Sequence, residues 1–352
     1  MTLTTLQPES IQTDRLHVSY LSAGSAENPP LLLIHGNVSA NLFWDDTLRA
    51  LSEEYWVLAP DLRGYGQTEA LPIDATRGLR DWSDDLKSFL DALGMSRPVH
   101  VLGWSLGAGI AMQLAIDHPT AVRSLVLMSP LSPYGFGGTK DEWGTPCYDN
   151  YAGSGGGTAN PQFVACLSGN DRSEEEPNSP RNILNQFYFK SPFRVGGERE
   201  ERYLDAMLST RIGDAHYPGA YETCEHWPGI APGAEGINNA MSPKYVNLSP
   251  IIHIEPKRPI LWIRGADDAI VSDSSWFDFG YLGKLGYVEG WPGEEVYPPQ
   301  PMVSQMRCVL KQYEEAGGSF EEVVVGDAGH APHIEQPEFV FAKLRSFLSL
   351  IE

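Results

Sequence analysis

The sequence predicts an α/β protein: a mostly parallel sheet with helices on both faces, interrupted by one long insertion. Three observations carry this. Short unbroken apolar runs at 31–34, 56–59, 98–104, 122–128 and 259–264 alternate with helical stretches, and strands buried on both faces of a parallel sheet read as such runs. The stretch Gly103-Trp104-Ser105-Leu106-Gly107 joins an apolar run to a small-residue helical run, which is strand, sharp turn and helix. From Pro130 to about Pro256 the chain turns rich in Gly, Pro and aromatics and the βα rhythm stops.

In chain order, residues 13–21 alternate through Leu16, Val18 and Tyr20 and predict an early antiparallel strand. The run 31–34 ends in His35-Gly36-Asn37. The run 56–59 ends in a glycine-punctuated loop through Asp61, Arg63, Gly64 and Gly66. Residues 78–93 carry helical spacing and Gly94 fits a stop. The strand at 98–104 leads to Ser105 and a helix to about His118, stopped by Pro119. The order β-α-β-α-β implies right-handed crossovers. Residues 131–256 are expected to form a cap over the strand ends, with short helices near 181–190 and 199–209, because a structureless loop of that length inside a compact domain is rare. The core is thus divided into 1–130 and 257–352. The second part carries an aromatic-rich extra lid loop at about 272–300, then a helix at 302–315, a last strand at 320–325 and a final helix at 337–349.

The balance of 25 basic against 46 acidic side chains, net −21, repels nucleic acid and anionic lipid, so neither is an expected partner. No apolar run approaches a membrane span, and the first ten residues lack a basic segment followed by an apolar one, so a cytoplasmic location is expected. Cys147, Cys166, Cys224 and Cys308 are too scattered for a disulfide framework or a metal site and read as free thiols, with one bridge among the three in the insertion as the alternative. Gly155-Gly156-Gly157 lacks the Gly-Lys-Ser/Thr ending of a phosphate cradle and reads as a cap turn. His330, His333 and His226 form no tight ligand spacing, so no metal and no cofactor is expected.

A serine hydroxyl needs a base within hydrogen-bond reach, and the base needs an orienting acid. Ser105 is the candidate nucleophile. The elbow layout requires the order serine, acid, histidine. His330 follows the last strand, behind a glycine that permits close backbone approach, and is the candidate base; His333 reads as structural or pocket-lining. Asp268, at the turn after the strand at 259–264, is the candidate acid, with Asp267 as its neighbouring rival. The strand ending at Met128 is followed by no carboxylate. Two amides should form an oxyanion hole: that of Leu106 at a helix N-terminus and that of Asn37 in the turn after Gly36. Trp104 and Val38, beside the nucleophile and that turn, are assigned to substrate binding. His35 reads as structural.

These motifs, together with Gly265-Ala266-Asp267-Asp268 and Gly329-His330, resemble the α/β-hydrolase superfamily, in its lidded form with the cap after the sixth strand. The likeness spans roughly 13–130 and 257–350. It implies an eight-stranded sheet and a Ser105–Asp268–His330 triad. His35-Gly36-Asn37 also resembles the turn of haloalkane dehalogenases. Those enzymes, like epoxide hydrolases of this fold, use an aspartate nucleophile, and this chain has Ser105. The expected activity is serine-dependent hydrolysis of a carboxylic ester or lactone, bulky and apolar in view of the two aromatic insertions, through an acyl-enzyme on Ser105. An amide or C–C bond hydrolase with the same triad is the alternative, and a non-catalytic ligand receptor a more distant one. The partner is then a small-molecule ester or lactone, and the protein a monomer or homodimer.

Overall fold

A computed structural model describes residues 6–351. Its centre is one eight-stranded sheet. In chain order the strands are β1 (Glu9–Gln12), β2 (His17–Ala23), β3 (Pro30–Ile34), β4 (Trp56–Pro60), β5 (Val99–Trp104), β6 (Val122–Met128), β7 (Pro259–Gly265) and β8 (Ser319–Val325). Across the sheet they run β1-β2-β4-β3-β5-β6-β7-β8. The contacts β1–β2 and β2–β4 are antiparallel, and the other five are parallel. The fold is the α/β-hydrolase fold that the motifs implied.

The helices of the first part are α1 (Asp45–Leu51), α2 (Arg80–Ala92) and α3 (Leu106–Asp117). Every residue of β3 and β5 is buried, as their unbroken apolar runs require. Helix α3 lies unusually close to the sheet: a Cβ at Gly107 would sit 2.2 Å from the Ile34 carbonyl oxygen, and one at Gly103 2.2 Å from that of Gly107. Only glycine permits this approach. The early antiparallel strand expected at 13–21 is β2, which starts at His17, and β1, ahead of it, pairs with it as a hairpin and supplies the eighth strand.

Between β6 and β7 lie α4 (Pro161–Ser168), α5 (Pro180–Ile183), α6 (Gly197–Leu208), α7 (Ile237–Ala240), a π-helical turn at Leu184–Tyr188 and four strands of two or three residues. The helix expected at 181–190 is therefore split between α5 and the π turn, a form enriched at functional sites. In the second part, α8 (Phe279–Lys284) sits inside the 272–300 loop, and α9 (Met302–Glu315), α10 (Pro332–Glu335) and α11 (Pro337–Ser349) complete the chain. All four cysteines are free.

Candidate active site

Ser105 caps α3 with φ 57° and ψ −120°, a left-handed conformation that costs an ordinary residue on the order of 1–3 kcal/mol. The turn is held from both sides. Ser105 N–H donates to the Met128 carbonyl at 2.9 Å, and its own carbonyl accepts from Ala108 at 3.0 Å and Leu131 at 3.1 Å. The hydroxyl is thereby lifted beyond the C-terminal edge of the sheet, at the N-terminus of α3, where the first-turn amides have no intrahelical partner. A Cβ at Gly36 would stand 3.1 Å from that of Ser105, so the turn after β3 passes directly beside it.

Asp268 and His330 are brought together from the ends of β7 and β8. Nδ1 of His330 lies 2.8 Å from Oδ2 of Asp268, with both side chains about 3 % exposed. The other carboxylate oxygen, Oδ1, accepts from the amides of Ile270 at 2.8 Å and Val271 at 2.9 Å. A carboxylate so held fixes the tautomer: the proton sits on Nδ1 and Nε2 is left as an acceptor. The two loops touch through glycine, since a Cβ at Gly265 would fall 1.9 Å from the Gly329 carbonyl oxygen.

Two further groups pin the His330 loop. Indole Nε1 of Trp104 donates to the His330 carbonyl at 2.7 Å. Buried Glu335 accepts from the amides of Gly329 at 2.8 Å and Lys190 at 2.6 Å, and burial pushes its carboxyl up to about 7. Glu335 was not singled out by sequence reasoning; its only signal was its place five residues after His330, ahead of Pro337.

Asp267 lies outside this group, paired with Lys190 Nζ at 2.9 Å on the surface. His333 is buried between the rings of Trp44 and Trp104. Desolvation, with the neighbouring His330, lowers it to about 3, which makes it a neutral packing residue.

The orientation of the Asn37 amide follows from its own peptide unit. The Gly36 carbonyl accepts from Ser39 Oγ at 2.8 Å and faces His35 Nδ1 at 2.9 Å. His35 Nε2 accepts from the Leu62 amide at 3.0 Å, so Nδ1 carries the proton and donates. Burial lowers His35 to about 4, which keeps it neutral. In a trans peptide the N–H points opposite to the C=O. With the Gly36 carbonyl tied inward, the Asn37 N–H is turned away from those anchors. Tyr188, from the π turn, donates to the carbonyls of Asn37 at 3.1 Å and Val38 at 3.2 Å and holds the turn from the opposite side.

Asn37, Leu106, Ser105 and His330 border one cavity of about 320 Å³. Val38 and Trp104 also border it, although Trp104 is fully buried and its polar atom serves the His330 loop. Its other walls are mainly apolar and come from both insertions, including Phe163, Phe187 and Met241 from the first and Phe279 and Leu282 from the second. Trp276 and Phe277, 42 % and 37 % exposed, join this lining to the surface.

Residues 29–146 match the family model described as alpha/beta hydrolase fold. Among curated proteins, the chain is 38% identical over 120 residues to "Epoxide hydrolase 4" of Homo sapiens, covering 34% of this chain and 33% of that one. It is 41% identical over 102 residues to "2-hydroxymuconate semialdehyde hydrolase" of Pseudomonas sp., covering 28% and 35%. These matches span about a third of each relative. Solved structures align along nearly the whole chain. A carboxylesterase from Bacillus subtilis has TM-score 0.60 at 17% identity, covering 98% of this chain and 92% of that one. An esterase from Rhodococcus sp. has TM-score 0.60 at 18% identity, covering 99% and 100%. At such identity they speak for the fold alone.

Proposed function

We propose that this chain, a member of the α/β-hydrolase superfamily, is a serine hydrolase of carboxylic esters or lactones with a bulky, apolar part. The observation that carries this is the buried 2.8 Å contact of Asp268 with His330, whose ring borders the same cavity as a serine held in the left-handed region.

In this reading His330 Nε2 takes the Ser105 proton as Oγ attacks the carbonyl carbon. The oxyanion forms against the amides of Leu106 and Asn37; losing one such donor typically costs about 2.7–4 kcal/mol of barrier. Collapse breaks the ester C–O bond, and the imidazolium returns its proton to the leaving alkoxide. Water then attacks the acyl-enzyme with His330 again as base, releasing acid and Ser105. Asp268 keeps the imidazole oriented throughout and stabilises its charged form. An aspartate-nucleophile mechanism lacks its nucleophile, because Ser105 occupies the elbow. Hydrolysis of a C–C bond by the same triad is the second reading, favoured by the 41% identity to a ring-cleavage product hydrolase over 102 residues.

The test is turnover of short and medium p-nitrophenyl esters, of lactones and of a vinylogous diketone by wild type and Ser105→Ala. Loss of ester turnover below about a thousandth in the variant supports the assignment; unchanged ester turnover rejects it.

A further inference from the structure

The largely apolar cavity has polar side chains that the triad and the oxyanion turn leave unused, among them Asn238 and Tyr217. Three side chains form a hydrogen-bond chain running from the core into the cavity wall: Tyr65, Asn37 and Asn238. Its polarity can be read step by step from an unambiguous donor. The backbone N–H of Val38 bonds Asn37 Oδ1 at 3.0 Å, so that atom is the amide oxygen. The Tyr65 hydroxyl donates to the same oxygen at 2.7 Å. Asn37 Nδ2 is therefore the outward donor, and it reaches Asn238 Oδ1 at 3.2 Å. With its oxygen engaged, Asn238 ends the chain. The Tyr217 hydroxyl donates to no group among the described residues, so its proton is left for another partner.

Tyr217 and Asn238 both line the cavity with Ser105 and His330. Tyr217 is only 5 % exposed, and its hydroxyl stays neutral because burial raises it. A phenolic donor placed this way, edge-on to Phe163, meets little water. Its unmet proton costs free energy in the empty site and rewards a ligand oxygen that fills the gap.

We propose that Tyr217 is a specificity-determining residue. It donates a hydrogen bond to an acceptor oxygen — ketone, ether or hydroxyl — that the substrate carries away from its scissile carbonyl. The preferred substrate is then an apolar ester or lactone bearing one such oxygen, not a plain hydrocarbon ester. This rests on the serine-hydrolase reading. Burial of Tyr217 in the wall of the cavity that Ser105 and His330 border holds this donor in a set place relative to the reacting carbonyl.

The experiment compares p-nitrophenyl esters of a straight-chain acid with esters of the same length carrying a ketone moved one carbon at a time along the acyl chain. Wild type should prefer at least one ketone position over the plain ester in kcat/KM by about ten- to a hundredfold. Tyr217→Phe should lower that ratio to within about threefold of unity. No preference at any position in wild type, or a preference that survives Tyr217→Phe, overturns the proposal. Labelling with a serine-directed fluorophosphonate separates the two readings. Failure of wild type to label at Ser105 sinks the hydrolase reading, whereas labelling with a flat ketone series sinks only the subsite.

Discussion

The Gly36–Asn37 peptide offers a direct test of how the proposed oxyanion hole is built. Its carbonyl has two buried anchors, Ser39 Oγ and protonated His35 Nδ1, and both anchoring side chains are fully buried. Ser39→Ala removes one bond and leaves the other, so the peptide keeps its orientation. The expected loss is about 1 kcal/mol of stability, with kcat falling about fivefold or less. His35→Phe also spares one anchor, but it strands the Leu62 amide, at a cost of about 1–3 kcal/mol in stability. In the double variant nothing ties the carbonyl inward, and the Asn37 N–H is free to leave the reacting oxygen. The expected loss in kcat is then about a hundred- to a thousandfold, that of a missing oxyanion donor. The two substitutions should therefore couple by at least about 1 kcal/mol in the activation barrier. The assay is kcat and KM on p-nitrophenyl butyrate for the four proteins of the cycle, with circular-dichroism melts to establish that each is folded. A folded double variant whose kcat loss is merely the product of the two single losses would refute this account of the amide.

The choice between neighbouring carboxylates is tested by Asp268→Asn and Asp267→Asn. The first puts an amide NH₂ or a disrupted turn against His330 Nδ1 and should lower kcat by on the order of a thousandfold or more, whereas the second removes only a surface pair with Lys190 and should stay within about twofold. Gly265→Ala drives a Cβ to 1.9 Å from a backbone oxygen of the His330 loop and should depress both melting temperature and kcat, while Gly326→Ala, with open space around it, should be silent in both assays. Glu335 has its folded carboxyl raised to about 7 from an ordinary 4.5, so the folded state holds a proton that the unfolded state releases across that window. Its contribution is present in full below pH 4.5 and is lost as pH rises to 7. Glu335→Gln should therefore cost more stability at pH 5 than at pH 8, by on the order of 1–2 kcal/mol after allowing for partial solvent access; urea titrations at the two values check it, and a cost that grows with pH would contradict the assigned direction.

The sheet and the three proposed catalytic side chains were legible because each leaves a local signature. β3 and β5 are unbroken apolar runs because both faces are covered. Gly103 and Gly107 flank the serine because the strand and α3 nearly touch there. Gly265 and Gly329 precede Asp268 and His330 because those loops meet at backbone distance. What lacked a signature was missed. β1 is four residues, Glu-Ser-Ile-Gln, on the sheet edge, with too little apolar character to mark it. α1 is seven residues long and buries more through its packing partners than its own periodicity announces. Glu335 is one acid among 46, and only folding sets it against the amides of Gly329 and Lys190.

The first insertion stayed opaque for a different reason, visible in where its backbone hydrogen bonds go. In the core they go to helices and ladders, which impose a period on the sequence. In the insertion, side-chain amides replace many of them. Asn239 Oδ1 accepts from the amides of Gly156 at 2.8 Å and Gly233 at 3.1 Å, while its Nδ2 serves the carbonyls of Ala220 and Glu235. Gln300 accepts from Gly137 at 2.6 Å and donates to Gly135 at 3.1 Å, and Gln305 donates to the Asp141 carbonyl at 2.8 Å. Each of these amides satisfies buried backbone that would otherwise cost about 1–3 kcal/mol per group. No period results, because the partners are set by the folded path and not by spacing. The same construction fixes the cavity wall: Asn239 ties α7 to the backbone at Gly156, Ala220 and Gly233 and so holds its helix neighbour Asn238 in that wall.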